Sequence, residues 1–343
     1  MMRAARFHEY GSAEVMQVDD VPTPEPGSGE VRIRVRACAL NHVDIDIRDG
    51  VSRLPVSLPH TLGFELAGDV DAIGSDVAGI SIGDRVMPLY QMHCRNCDWC
   101  ARGQHMHCER IEMFGIQLPG GYAEYVIAPA WTVIQLGSGL SYEAAAATQT
   151  AFATGWHALT KRAQVKEGDW VLVNAAASGV GSAAIQLVRL LGGRVIASAS
   201  SDEKLARAHE LGAEAGVNYA TEDLTARVRA ITDGRGVDIV YESVGGELLE
   251  ASIPAMSELG ELVLVGAHAG EVVPVDFIEL FRHQWTLHGS ARANEEELRH
   301  VVALAADGRI QPVVSERFPL ERVQDAHRMM ESRKFYGKII LEP

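Results

Sequence analysis

The chain has 343 residues, 47% hydrophobic and 22% charged, a composition that suits a globular α/β protein and excludes a disordered or fibrous one. At this length two domains, each with its own core, are expected. With 31 basic against 46 acidic side chains and a net charge of −15, most of the surface repels nucleic acid and anionic lipid, so neither is expected as a partner.

The opening segment MMRAARFHEYGSAEV has no long apolar core behind its arginines, and no later stretch approaches the ~18 uninterrupted apolar residues of a spanning helix. A cytoplasmic protein is therefore expected. PTPEPGSG (Pro22 to Gly29) reads as a loop between early strands. In VRIRVRA, Val31, Ile33 and Val35 alternate with Arg32, Arg34 and Arg36, the pattern of a half-buried strand. Cys38 follows as a small buried hydrophobe. IGDRV (Ile82 to Val86) and GGYAEYVIAP (Gly120 to Pro129) read as turn-then-strand pieces, so the first third predicts a β-rich, partly antiparallel unit.

Cys94, Cys97, Cys100 and Cys108 are spaced Cys-x2-Cys-x2-Cys-x7-Cys. Four thiolates this close wrap one tetrahedral ion and fill every coordination position, so the site predicted is one structural Zn2+ per chain that cannot bind substrate. A ferredoxin-type cluster wants a shorter last gap and a following proline, whereas Glu109 follows here. Two disulfides require an oxidising compartment. His93, His105 and His107 flank the site and read as solvated surface histidines.

From about Gly168 short apolar strands alternate with helical stretches. WVLVNAA, RVIASA, GVNY, VDIVYESVG, ELVLVGA and WTLHGSA are the strands, and ELLEASIPAMSEL is read as one of the helices. Such alternation predicts a doubly wound parallel six-stranded sheet, a Rossmann domain. After Arg292 a helix through LRHVVALAADG and a last strand in YGKIILEP are too little for a third core and return to the first domain.

The first of these strands runs through the small-residue turn AAASGVG into an amphipathic helix. Small residues let backbone approach a pyrophosphate at the helix N-terminus, which makes Ser178, Gly179, Val180 and Gly181 the candidate cradle. The three-glycine fingerprint is incomplete, with Ala176 and Ser178 in place of two glycines. At the end of the second strand the position of the ribose-binding acid is Ala199, followed by Ser200, Ser201 and Lys204. Hydroxyls and an ammonium suit a 2′-phosphate, so NADP(H) is expected, with NAD(H) the alternative. Asp202 and Glu203 oppose this unless they cap the next helix.

The cysteine lobe, AAASGVG, the run PHTLGFELAGDV (Pro59 to Val70) and the terminal YGKIIL together resemble the medium-chain dehydrogenase/reductase superfamily of zinc alcohol dehydrogenases and quinone oxidoreductases, over essentially the whole chain. The resemblance implies a GroES-like, partly open-barrel catalytic domain over residues 1–151 and 292–343, with the zinc lobe at 94–108. It also implies a coenzyme domain over 152–291, with substrate between the two. It places His42 and Lys338 at the pyrophosphate and Thr154 at the nicotinamide, and it aims the backbone of Val265 and Gly266 at the carboxamide. It further suggests a homodimer or homotetramer whose WTLHGSA edge strand meets its symmetry mate.

In this family the alcohol dehydrogenases bind a second, catalytic zinc through cysteine, histidine and cysteine; the matching positions here are Asn41, Phe64 and Thr150, and the proton-relay hydroxyl is Val43. Asp44 and Glu65 remain, as relics, as structural hydrogen-bonding groups or as parts of a rearranged metal site. Without a Lewis acid, hydride removal from a plain alcohol is hard, whereas an enone, a quinone or an α,β-unsaturated thioester delocalises the incoming charge. The expected activity is NADPH-dependent reduction of an activated C=C bond or quinone, with Asn41 and Thr150 polarising the acceptor oxygen. An NAD(P)-dependent alcohol dehydrogenase and a non-catalytic dinucleotide-binding regulator are the competing readings.

Overall fold

The computed structural model describes all residues from Met1 to Pro343. The chain divides into a first unit of Met1–Thr150, Asn294–Gly308 and Pro312–Pro343 and a second of Ala151–Ala293 with Arg309–Gln311. The expected boundaries at 151/152 and 291/292 are displaced by one and two residues, and the short Arg309–Gln311 segment groups with the second unit.

The first unit is built on a seven-stranded sheet in which Glu30–Ala39 is central, flanked by Glu65–Ile73 and by the last strand, Lys338–Glu342. Alternation explains the central strand. Val31, Ile33 and Val35 are buried, while on the opposite face Arg32 pairs with Asp71 and Arg36 with Asp69, both on the neighbouring strand. The last strand runs antiparallel to Glu30–Ala39 and parallel to Val314–Pro319, with the helix Val323–Ser332 as the crossover. A second sheet joins Met2–Phe7 to Met16–Val21 and His60–Thr61.

Two antiparallel pairings bring the site residues into one row. Ala39 stands opposite Glu65 on one side and Ile340 on the other. Asn41, two residues past Ala39, therefore meets Lys338, two residues before Ile340, and Glu65 lies beside both.

The second unit is a six-stranded, wholly parallel sheet, ordered Ala215–Asn218, Arg194–Ala199, Trp170–Val173, Val237–Glu242, Met256–Leu264, Thr286–Gly289. The first strand in sequence lies inside the sheet, with the chain winding outwards on both sides of it. This topology opens a crevice at the strands' carboxyl ends. Leu172, Ile196, Val217, Val240 and Leu262 form its core and are at most 4% exposed. One predicted helix is too long. The helix Gly246–Ser252 gives way to a short 3-10 turn, Ile253–Ala255, because Pro254 supplies no N–H, and the next strand starts at Met256 rather than near Glu261. No helix is long and apolar enough to cross a membrane.

Candidate functional site

In the second unit the strand Trp170–Val173 runs through a tight turn into the helix Gly179–Leu190. Ser178 caps that helix, its Oγ accepting the Gly181 N–H at 2.9 Å. Ala175 takes a left-handed φ of 48°, and the Ala176 N–H donates to the Ser198 carbonyl, which fixes the turn to the neighbouring strand. A Cβ on Gly181 would lie 2.3 Å from the Ala175 carbonyl oxygen, so the position admits only glycine. First-turn N–H groups have no carbonyl one turn back, which leaves those of Gly179 and Val180 for an anion. The turn therefore fits a pyrophosphate on its own geometry.

At the second strand's end the Lys204 ammonium donates to Ser200 Oγ at 3.4 Å. Ser201, not Asp202 or Glu203, is the cap of helix Asp202–Leu211. Asp202 instead accepts from Asn218 Nδ2 at 2.8 Å, so its charge is engaged by the adjoining strand. Thr154 is buried in the helix Tyr142–His157, and Val265 and Gly266 follow the fifth strand, with the Val265 N–H donating to the Glu242 carbonyl at 2.8 Å.

Sequence reasoning missed a buried network beneath this turn. Asn174 Nδ2 donates to Glu242 Oε2 and to Ser252 Oγ, and Ser198 Oγ donates to Asn174 Oδ1 at 2.7 Å. Glu242 Oε1 accepts the N–H groups of Val244 and Gly245. The network ties the ends of three central strands and holds the loop after the fourth. Burial pushes the Glu242 pKa up. The available signal was an acid, Glu242, ending the largely apolar strand VDIVYE.

In the first unit the row set by the sheet register becomes a charged cluster. Lys338 Nζ lies 2.5 Å from Glu65 Oε2 and donates to Asn41 Oδ1 at 2.7 Å. Asn41 Nδ2 donates to the same Glu65 oxygen at 2.8 Å and makes a 3.4 Å contact with the Ala39 carbonyl. Glu65 Oε1 accepts the Thr150 N–H at 2.5 Å. Lys338, 7% exposed at its side chain, is thus not a solvated lysine; its ammonium is held by a fully buried carboxylate. The Thr150 hydroxyl is buried without a hydrogen-bond partner.

Asn41 also begins the helix His42–Asp49 through a capping box: its side chain accepts the Asp44 N–H, and Asp44 Oδ2 accepts the Asn41 N–H at 2.8 Å. His42, the first helical residue, is half-buried. Asp44 accepts from Tyr122 Oη as well, but its other oxygen is buried with no partner. Burial pushes the Asp44 pKa up to about 7. The Glu65 carboxylate nearby adds to the rise, while the Asn41 N–H, the Tyr122 hydroxyl and Lys338 oppose it.

The four lobe sulfurs all lie within 4.8 Å of one another, with Cys97 to Cys100 at 3.6 Å and Cys94 to Cys100 at 3.9 Å. A tetrahedron with Zn–S bonds of about 2.3 Å needs sulfurs about 3.8 Å apart, so the set fits a zinc ion, and no histidine is needed to complete it. Backbone N–H groups of Cys94 and Arg110 donate to Cys108 Sγ, as expected for a thiolate ligand. The flanking histidines depart from expectation. His93 is buried and stacks on His105 with ring centroids 3.9 Å apart, because the lobe folds against Trp131; only His107 is exposed.

Residues 27–138 match the family described as alcohol dehydrogenase GroES-like domain, and residues 179–307 match that described as zinc-binding dehydrogenase. An alcohol dehydrogenase of Geobacillus stearothermophilus is 30% identical, covering 99% of each chain. A quinone oxidoreductase of Pseudomonas aeruginosa is 30% identical over 100% of each. A crystal structure of an NAD-dependent alcohol dehydrogenase superposes with a TM-score of 0.96 at 39% identity, again over 100% of both chains. The chain belongs to the medium-chain dehydrogenase/reductase superfamily. It is an NAD(P)-dependent oxidoreductase. Measured against the superfamily's catalytic zinc, the donor set here does not fit: Phe64 is a buried hydrocarbon ring 6.1 Å from that of Tyr90, Asn41 is bonded through both amide atoms, and both Glu65 oxygens are taken.

Two outcomes follow from this geometry. Cys100→Ser is expected to abolish the one tightly held zinc per chain and to lower the melting temperature by roughly 5–10 °C; metal analysis showing the same zinc content in the variant would refute the four-thiolate site. For Asp44, the folded chain retains a proton that the unfolded carboxyl gives up near its ordinary 3.8, so the stability present below that pH is lost as pH rises through about 7. Asp44→Asn removes that dependence. The stability of the variant relative to the native protein, from denaturant melts, is expected to rise by roughly 2–4 kcal/mol between pH 4 and pH 8. A constant packing penalty leaves that difference untouched, and parallel curves would show that Asp44 is ionised in the fold.

Proposed function

We propose that this protein is an NADPH-dependent reductase of activated C=C bonds or quinones. The observation that carries the reading is the Asn41, Phe64, Thr150 set, in which a hydrocarbon and two neutral polar groups stand at metal-ligand positions while Lys338 and Asn41 occupy the adjacent carboxylate. When bound, the reduced nicotinamide supplies a hydride. The protein's task is then to bind and polarise an acceptor that already delocalises negative charge. Two donors support this. The second Asn41 amide hydrogen is held only by a 3.4 Å contact to Ala39, and the Thr150 hydroxyl has no protein partner. Lys338, donating to Asn41 Oδ1, withdraws electron density from that amide and strengthens its N–H as a donor.

On the coenzyme side, Ser178 sets the helix start by accepting the Gly181 N–H, Gly181 lets the backbone come close, and the N–H groups of Gly179 and Val180 are the donors for the pyrophosphate. Ser200 and Lys204 hold the 2′-phosphate; Thr154 and the backbone of Val265 and Gly266 meet the nicotinamide. The lobe thiolates hold one structural zinc. A homo-oligomer is supported by the open edge of the strand Thr286–Gly289, beside which Phe277 and Phe281 are 73% and 67% exposed. The relatives named as NAD-dependent alcohol dehydrogenases favour a second reading, oxidation of alcohols with NAD.

Loss of NADPH absorbance is expected with enones and quinones, with no reduction of NADP+ by simple alcohols. Robust alcohol oxidation that a chelator abolishes would establish the second reading instead. For the coenzyme, Lys204→Glu is expected to raise the KM for NADPH about 10–100-fold, the worth of a charge-assisted phosphate contact, and to leave that for NADH within about threefold. An unchanged KM for NADPH would remove Lys204 from the phosphate site.

A further inference from the structure

Next to the thiolate site, and separate from the proposed reaction, three side chains distant in sequence converge. His93 precedes the first lobe cysteine, His105 lies in the 3-10 turn His105–His107, and Glu295 is the first residue of the helix Glu295–Ala306. One ligand atom from each lies within 4.8 Å of the others, with His93 Nε2 and Glu295 Oε2 at 4.0 Å. The surroundings orient them. Glu295 Oε1 accepts from the Arg299 guanidinium at 2.8 and 2.9 Å, which turns Oε2 towards His93, and Trp131 packs edge-on to the His93 ring at 5.0 Å. Packing alone leaves one feature unexplained: His105 Nδ1 is sealed from water and has no hydrogen-bond partner. A buried imidazole nitrogen without a partner is unfavourable, and it is a group that a ligand satisfies.

We propose that His93, His105 and Glu295 form a second, exchangeable divalent-cation site, distinct from the four thiolates. Two imidazoles and a carboxylate suit Zn2+, Co2+ or Ni2+ rather than Mg2+ or Ca2+. Metal–nitrogen bonds of about 2.0–2.1 Å in a tetrahedron put the ligand atoms about 3.3 Å apart, so the 4.0 Å gap closes by less than about 1 Å on loading. An ion also lies in the plane of each imidazole, whereas the two rings stack with only 6° between their planes. One ring must turn. His105, half-buried on a short turn, is the mobile one, since His93 is wedged by Trp131. Three protein ligands leave a fourth position for water or a small anion, and the loaded site staples the zinc lobe to the helix Glu295–Ala306.

The test uses the full chain with its tightly held lobe metal, first freed of loosely bound ions with a weak chelator and then titrated with Co2+ alone. Equilibrium dialysis is expected to find one further ion per chain, bound in the micromolar range. Its visible spectrum should show nitrogen and oxygen ligation, without the thiolate-to-cobalt charge-transfer band in the near ultraviolet. His105→Ala and Glu295→Gln, each checked for native circular dichroism and full lobe zinc, are expected to weaken that binding at least about tenfold. His93→Gln replaces either variant that does not fold. The proposal is overturned if the native protein takes up no ion beyond the tight one, if the added cobalt shows the charge-transfer band, or if the folded variants bind it as the native protein does.

Discussion

The first unit is organised around a buried ion pair, Glu65 with Lys338, that joins the strand Glu65–Ile73 to the last strand of the chain. Removing one partner of such a pair strands a charge away from water and costs about 3–5 kcal/mol, so neither residue can vary alone. Three further groups depend on it. Asn41 is bonded to both partners, the Thr150 N–H completes the carboxylate, and Asp44, buried beside them, has its pKa pushed up to about 7. The positive charge beside the candidate acceptor site is therefore supplied covalently by the chain, in a form that does not exchange with solvent.

The second unit solves a different problem: how to expose backbone N–H groups at a helix start without losing the turn. Ala175 in a left-handed conformation, the Ser178 cap and the contact that forbids any Cβ on Gly181 achieve this locally. Beneath them, Asn174 and Glu242 use almost every hydrogen-bonding atom they own on neighbouring strands and loops. A fully satisfied buried network of this kind rigidifies the strand ends on which the proposed coenzyme contacts stand.

Legibility followed periodicity. The alternation in VRIRVRA and the strand–helix rhythm after Gly168 were readable because each records burial on one face, repeated every two residues or every turn. The cysteine spacing was readable because its ligands are local. What escaped was set by contacts between segments far apart in the chain: nothing near YGKII shows that Lys338 will stand opposite Asn41, nor near GQHMH that His105 will face Glu295. Pro254 is the converse case, a local signal outvoted by the apolar pattern around it, which extended a helix through a residue unable to donate its backbone bond.

Overall similarity does not choose between alcohol oxidation and reduction of a conjugated acceptor, because the fold, the coenzyme turn and the cysteine lobe serve both equally. The choice rests on a few side chains and on what their atoms are already doing. Had Glu65 been unengaged, a metal could have been rebuilt from that acid. With Glu65 bonded to an ammonium, an amide and a backbone N–H, any ion placed there must first displace Lys338 and break a buried pair. Under the proposed function, the same bonds that stabilise the strand row favour acceptors that need polarising only by hydrogen bonds.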